Sequence, residues 1–190
     1  MNLFEEYINT KISQYLGEQD DDDKIKKTKK VGCAVIVKEG ENGEKLVLLI
    51  RRAPDDHWPL HYDMPRGGCD YGKQDSETYD EPTLACVKRE CKEECGLDIE
   101  IVRSIDEFQY LAEKGTVLTT QYNFLCKMKD PNQKVKLSKE HDDYEWIQSV
   151  GQAELYLLPE MKKTIAKVLN QDNPIIDYSE AELDDHKIGE

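Results

Sequence analysis

The chain has 190 residues, with 40 Asp and Glu against 26 Lys and Arg, a formal net charge of −14. That length suits one domain with tails, and the acid excess excludes a protein that grips nucleic acid by broad charge neutralisation. The longest apolar runs, Ala34–Val37 and Leu46–Ile50, fall far short of the roughly 18 residues a membrane-spanning helix needs.

Met1–Gly17 reads as an amphipathic helix, with Leu3, Phe4, Tyr7, Ile8, Ile12, Tyr15 and Leu16 on one stripe. It carries Glu5 and Glu6 and no apolar presequence core, so a cytoplasmic protein is expected, or a nuclear one if the lysines that follow act as a signal. Asp20–Asp23 and then Lys24, Lys26, Lys27, Lys29 and Lys30 segregate charge and read as a solvated linker. The folded domain is thus expected at residues 31–170, after an N-terminal segment 1–30.

Strands are predicted at 31–38 and 45–52, joined by a turn at Asn42-Gly43. A loop over 53–63 holds His57, Trp58 and His61, and Tyr62–Gly68 reads as a short strand running into a glycine turn. Residues 69–80 are polar and irregular. Pro82 suits the first turn of a helix that stops at Gly96. Further strands are predicted at 97–105, 107–113, 116–128 and 144–147, and a second helix at about 160–169. Residues 171–190 hold seven acids and one lysine and read as a mobile tail. Strands on both sides of a central helix, with a second helix at the end, predict an α/β fold in which helices sandwich a mixed central sheet. The six cysteines lack the CxxC spacing of a zinc site and read as reduced core residues.

The chemistry concentrates in Arg89-Glu90-Cys91-Lys92-Glu93-Glu94-Cys95-Gly96-Leu97. On a helix Glu90 and Glu94 are i,i+4 neighbours, and Glu93 is three residues from Glu90. Three carboxylates so placed raise one another's pKa unless a cation compensates, and a hard divalent cation suits oxygen ligands. Arg89 can pair with one of them. Three Glu near an Arg are in themselves an ordinary solvated helix face; the order RExxEExG followed by an apolar residue is far more specific.

This order resembles the box of the Nudix hydrolases, Gx5Ex7REUxEExGU with U apolar. Arg89, Glu90, Cys91, Glu93, Glu94, Gly96 and Leu97 match its second half, and Glu81 stands eight residues before Arg89 as the pattern demands. The pattern's glycine position is Asp75 here; Gly68 is the counterpart if the loop carries a seven-residue insertion. Tyr62-Asp63-Met64-Pro65-Arg66-Gly67-Gly68 is similar to the family's lead-in. Ser138-Lys139-Glu140-His141-Asp142-Asp143-Tyr144-Glu145-Trp146 resembles a stretch of the diadenosine tetraphosphate hydrolase branch.

The resemblance implies a Nudix-type α/β/α sandwich and a pyrophosphohydrolase dependent on Mg²⁺, or Mn²⁺, acting on a small-molecule polyphosphate such as a dinucleoside tetraphosphate. It implies metal ligation by Glu90, Glu93, Glu94, Glu140 and the Gly68 carbonyl. Glu140 is the first candidate for general base, Glu93 the second, and Arg89 a positioning catalytic residue. Arg66, ahead of Arg51 and Arg52, is the expected phosphate grip. Tyr62, Tyr110 and Tyr122 are the candidate clamps for a nucleobase, with the direction of Tyr110 open. Alternatives within the class are an RNA 5′ end or cap, where Lys24–Lys30 or Lys134–Lys139 supplies a local basic groove, and a diphosphoinositol phosphate. No proline stands about 15 residues past the box, against an ADP-ribose substrate. A Nudix fold kept as a ligand sensor is the alternative outside the class, and it is expected to have lost box carboxylates that are all present here. The chain is read as a monomer or homodimer.

Overall fold

A computed structural model describes residues 27–56, 59–69, 82–113, 115–153, 157 and 159–170. The expected N-terminal helix, the segment 70–80, Glu81, His57, Trp58 and the acidic tail lie outside the described residues.

The elements, in chain order, are β1 (Lys27–Glu39), β2 (Lys45–Arg52), β3 (Tyr62–Asp63), β4 (Arg66–Gly68), α1 (Thr83–Cys95), β5 (Ile99–Ala112), β6 (Val117–Met128), β7 (His141–Ile147), a 3₁₀ turn (Val150–Ala153) and α2 (Pro159–Asn170). They build a seven-stranded mixed sheet in the order β3-β2-β1-β6-β5, with β4 also paired to β1 and β7 to β2. β1 runs parallel to β6 and antiparallel to β2 and β4. β1 lies inside the sheet with a helix over each face, which is why its centre reads as one continuous apolar run rather than an alternation.

Successive β1 side chains enter opposite cores. Cys33 and Val35 join Val47, Leu49 and Met64 beneath Met161, Ile165 and Val168 of α2. Ala34 and Ile36 join Leu48, Ile50, Phe124 and Cys126 beneath Val87, Cys91 and Cys95 of α1. This is the expected sandwich, and all six cysteines are buried with none in a disulfide.

Four boundaries differ from the sequence expectation, the simplest being β7, which begins at His141 and not at Tyr144. β1 begins at Lys27, not Val31, because β6 is long enough to pair with it from Lys27↔Val117 onward. Lys27, Lys29 and Lys30 therefore belong to a strand and not to a linker. Residues 66–68 are not a turn: Gly67 and Gly68 pair antiparallel with Gly32 and Val31 as strand β4. The two strands expected over 97–113 are one, β5, whose register slips between Ile101 and Arg103 and between Ser104 and Asp106. Bulges let a single strand accommodate the polar interruption that looks like a break in the sequence.

α1 has no side-chain cap at Pro82, and it ends where Gly96 turns left-handed (φ 72°) and donates its N–H to the Lys92 carbonyl. The helix lies close over the sheet at Gly32, where an added methyl would stand 2.6 Å from Val87 Cγ2 and 3.3 Å from both Cys86 Sγ and the Thr83 carbonyl. Gly32→Ala must lift α1 or force Val87 from its rotamer. Overpacking of this kind costs about 1–3 kcal/mol, and chemical denaturation should show a loss in that range with an unchanged m-value.

Candidate active site

The apolar stripe of α1 is interrupted by acid. Thr83, Cys86, Val87, Cys91 and Cys95 face the sheet, and Glu94 is buried among them. Its carboxylate is answered by a backbone group: the Arg66 N–H donates to Glu94 Oε2 at 2.8 Å. Burial first, then the charges of Asp63 and Glu90, push this carboxyl well above the usual range, against the Arg66 N–H and the Arg52 charge.

One turn away, Arg89 gathers three oxygens. Its Nη1 donates to Glu90 Oε1 at 2.7 Å and to Glu93 Oε2 at 2.9 Å, and its Nη2 donates to the Gly68 carbonyl at 3.0 Å. Gly67 makes this approach possible, since a methyl there would overlap the Glu90 carboxylate. Gly68 faces the other way, and a methyl on it would stand 2.8 Å from Lys29 Cε and 3.3 Å from Lys29 Nζ.

Three predicted metal-binding groups, the Gly68 carbonyl and the Glu90 and Glu93 carboxylates, thus converge on one positive charge, the Arg89 guanidinium. Among the described residues no three His, Cys, Asp or Glu side chains are drawn together as a ligand set. The donors nevertheless fit a hard divalent cation: all are oxygens, and the buried Glu94 lies beside the like charges of Asp63 and Glu90.

Arg66, the expected phosphate grip, has its guanidinium engaged within the fold. Its Nε donates to Asp63 Oδ2 at 2.7 Å, and its Nη1 donates to Gln121 Oε1 at 2.7 Å and to the Tyr110 hydroxyl at 3.5 Å. Burial works against its charge, but Asp63 and Tyr110 outweigh that and hold it firmly protonated. Arg51 is paired with Asp142 and Asp143, and Arg52 with Asp56.

Glu140 belongs to the segment that precedes β7. Its side chain is exposed, while its carbonyl accepts from Ala53 N–H at 2.9 Å. The segment is tied to α1 through Ser138, whose N–H donates to the Glu94 backbone carbonyl at 2.9 Å.

The three tyrosines separate. Tyr62 donates its hydroxyl to Glu145 Oε1 at 2.9 Å, and burial with that acceptor pushes its pKa up to about 12. Tyr122 packs against the apolar cluster beneath α1. Tyr110 shares a face with Phe108, ring centres 5.9 Å apart, and reaches the Arg66 guanidinium.

Sequence reasoning missed Asp63, Gln121, Asn123 and Lys29. Thr119, Gln121 and Asn123 are all buried polar residues, and their period-two spacing within an otherwise apolar strand was the available signal.

The Nudix domain model matches residues 26–171. The chain is 30% identical over 109 residues to bis(5′-nucleosyl)-tetraphosphatase [asymmetrical] of Mus musculus, covering 55% of this chain and 67% of the mouse protein. The Rattus norvegicus protein of the same name is 29% identical over the same shares. Among solved structures, a C. elegans Ap4A hydrolase binary complex superposes with a TM-score of 0.58 at 23% identity, over 74% of this chain and 94% of that one. The Nudix domain of Shewanella oneidensis NrtR, solved with ADP ribose, gives a TM-score of 0.52 at 15% identity, over 83% and 98%.

Two outcomes follow from this geometry. Gly67→Ala displaces only the end of the Glu90 side chain, so activity should fall at least tenfold while the thermal midpoint moves little; a large drop in the midpoint would place the glycine's role in the fold. His141 is buried, and burial first and then Arg52 hold its pKa below the ordinary 6.5. The unfolded chain therefore binds the extra proton first, so this stabilising contribution is present above pH 6.5 and is lost as pH falls toward the depressed folded value. A ring titration by NMR should place the His141 midpoint below 6.5, and His141→Gln should lessen the loss of stability between pH 7 and that midpoint.

Proposed function

The chain belongs to the Nudix family and is a hydrolase of that family, and on that premise we propose that it cleaves a dinucleoside polyphosphate such as diadenosine tetraphosphate in a reaction that requires Mg²⁺. The observation that carries this reading is the Arg89 clamp on Glu90, Glu93 and the Gly68 carbonyl beside the buried Glu94. Support for the substrate comes from the mouse and rat tetraphosphatases and from the resemblance of Ser138–Trp146 to that branch.

In this reading Glu90, Glu94, Glu93 and the Gly68 carbonyl would hold the metal, with Glu140 as a further ligand or the general base. Bound there, Mg²⁺ supplies charge neutralisation to the phosphates and a lowered pKa to water. Arg89 keeps two carboxylates and one carbonyl aligned, so that little reorganisation is needed during reaction. Glu140 takes the proton of the attacking water, with Glu93 as the second candidate; both are exposed enough to exchange it with solvent. Tyr110 and Phe108 offer the base a stacking surface beside Arg66. Tyr122 packs beneath α1 and Tyr62 is tied to Glu145, so neither is assigned to the base.

Hydrolysis of a panel of nucleoside polyphosphates, capped RNA and diphosphoinositol phosphates in H₂¹⁸O tests this reading. The expected result is turnover of diadenosine tetraphosphate with ¹⁸O in one product, abolished by a chelator. Glu94→Gln should remove turnover with the fold retained, and loss of the general base should reduce kcat by about 10²–10⁴, which identifies Glu140→Gln or Glu93→Gln as the base variant. Absence of Mg²⁺-dependent turnover on every member of the panel refutes the proposal.

A further inference from the structure

A line of hydrogen bonds runs from α2 across the sheet to the catalytic helix. Lys167 Nζ donates to Asp106 Oδ2 at 2.6 Å, and Thr164 Oγ1 donates to Asp106 Oδ1 at 3.0 Å. Asn123 Nδ2 donates to Asp106 Oδ1 at 2.7 Å, and Gln121 Nε2 donates to Asn123 Oδ1 at 2.8 Å. Gln121 Oε1 then accepts from Arg66 Nη1 at 2.7 Å, and the Arg66 peptide N–H meets Glu94 Oε2. Gln121 and Asn123 are fully buried.

The line has a direction. An ionised aspartate only accepts and a guanidinium only donates. Between those two ends each amide has one consistent orientation, its NH₂ toward Asp106 and its carbonyl toward Arg66. Turning either amide round sets two donors or two acceptors against each other in a buried site, a penalty that such a site magnifies. The bulge between Ser104 and Asp106 brings Asp106 into register opposite Asn123, so the acceptor end is built into the strand.

We propose that Asp106, Asn123 and Gln121 form a directional relay that positions Arg66, and through its peptide N–H the Glu94 carboxylate, for metal binding. The relay is made of positioning residues that touch neither substrate nor metal. Arg66 has one side chain for two tasks: Asp63 takes its Nε and Gln121 its Nη1. With the Gln121 carbonyl gone, the guanidinium can pivot about Asp63 and carry its own backbone away from Glu94.

This inference rests on Glu94 working at the metal site, and the test separates the two. Mg²⁺ binding to the whole protein is measured by calorimetry and by thermal shift, with kcat and KM for diadenosine tetraphosphate alongside. Gln121→Met removes both amide bonds at nearly constant volume. Outer partners of this kind change metal affinity or activity by about 10–100-fold, and a loss of Mg²⁺ affinity in that range is expected, with kcat lowered and KM little changed. Gln121→Glu keeps the acceptor for Arg66 but sets a carboxylate against the Asn123 carbonyl, so it too should weaken Mg²⁺ binding. Adding Asp106→Asn supplies a donor at the far end and lets Asn123 turn round. The Asp106→Asn/Gln121→Glu double variant should therefore recover Mg²⁺ affinity to within threefold of the unsubstituted protein.

Two results overturn the relay: Gln121→Met that melts lower yet binds Mg²⁺ unchanged, or a double variant no better than Gln121→Glu alone. If Gln121→Met does not fold, the Gln121→Glu and double-variant pair decides. Failure of the functional reading looks different: Glu94→Gln would bind Mg²⁺ as tightly as the unsubstituted protein. The Arg66 Nε–H proton resonance would still report the relay in that case, shifting in Gln121→Glu and returning in the double variant.

Discussion

Glu94 places a carboxylate in the one stripe of α1 that should be apolar. A charge in such a place is tolerated only when it is met by hydrogen bonds and counter-charge, and its surroundings are arranged for that. Cys91 and Cys95 keep the stripe thin enough for the helix to approach, and Gly32 takes away the methyl that would hold it off. The approach brings Glu94 under β4, where the Arg66 N–H is turned toward the helix rather than toward a neighbouring strand. Met64 is fully buried beside β4, and the Pro65 carbonyl accepts from Ala34 N–H, so the segment is anchored on both sides of the turn into β4.

The two faces of the sheet divide the labour. The face beneath α1 is apolar through Ala34, Phe124 and Cys126, and it sets the height of α1. The face beneath α2 is apolar only in part. Where β6 presents Gln121 and Asn123, side-chain hydrogen bonding replaces hydrophobic contact as the ordering force. An apolar patch tolerates small shifts of its members, whereas a polar network in a dry place specifies one arrangement, because each misplaced member leaves a group unsatisfied. A site that needs carboxylate oxygens at fixed positions gains more from the second kind of order.

The helix of the box was legible in its span, though not in the burial of Glu94. Its start at Pro82, its stop at Gly96 and the i,i+4 pairing of Arg89 with Glu93 follow from local rules of proline, glycine and helical spacing. The two-core sandwich was legible in outline, from strands on both sides of a central helix and a second helix at the end. What was not legible depends on partners distant in sequence. Lys27–Lys30 read as linker because only the length of β6 makes them a strand. Arg66 read as a free cation because nothing in the order Pro-Arg-Gly-Gly reveals that Gln121, 55 residues on, accepts from it. Tyr110 was unresolved for a similar reason: the face on which it and Phe108 stand is fixed by pairing with Thr119 and Gln121.

A chain of net charge −14 that handles a polyphosphate faces repulsion at every step of approach, and its guanidinium groups near the site do not remove it. Arg89 is shared among Glu90, Glu93 and the Gly68 carbonyl, Arg66 is held by Asp63 and Gln121, and Arg52 by Asp56. Each is neutralised locally, so the field a polyanion meets is that of surplus carboxylate. The raised pKa of Glu94 comes first from burial and then from the same surplus, through Asp63 and Glu90. The folded metal-free protein binds a proton there more readily than the unfolded chain, so the stability linked to that proton falls as pH rises through the folded pKa. A divalent cation answers the same oxygen without a proton, competes with it, and leaves positive charge to spare for a phosphate. In the proposed reading the acidity of the site is then the condition for binding metal and polyanion together, with each making the other's presence tolerable.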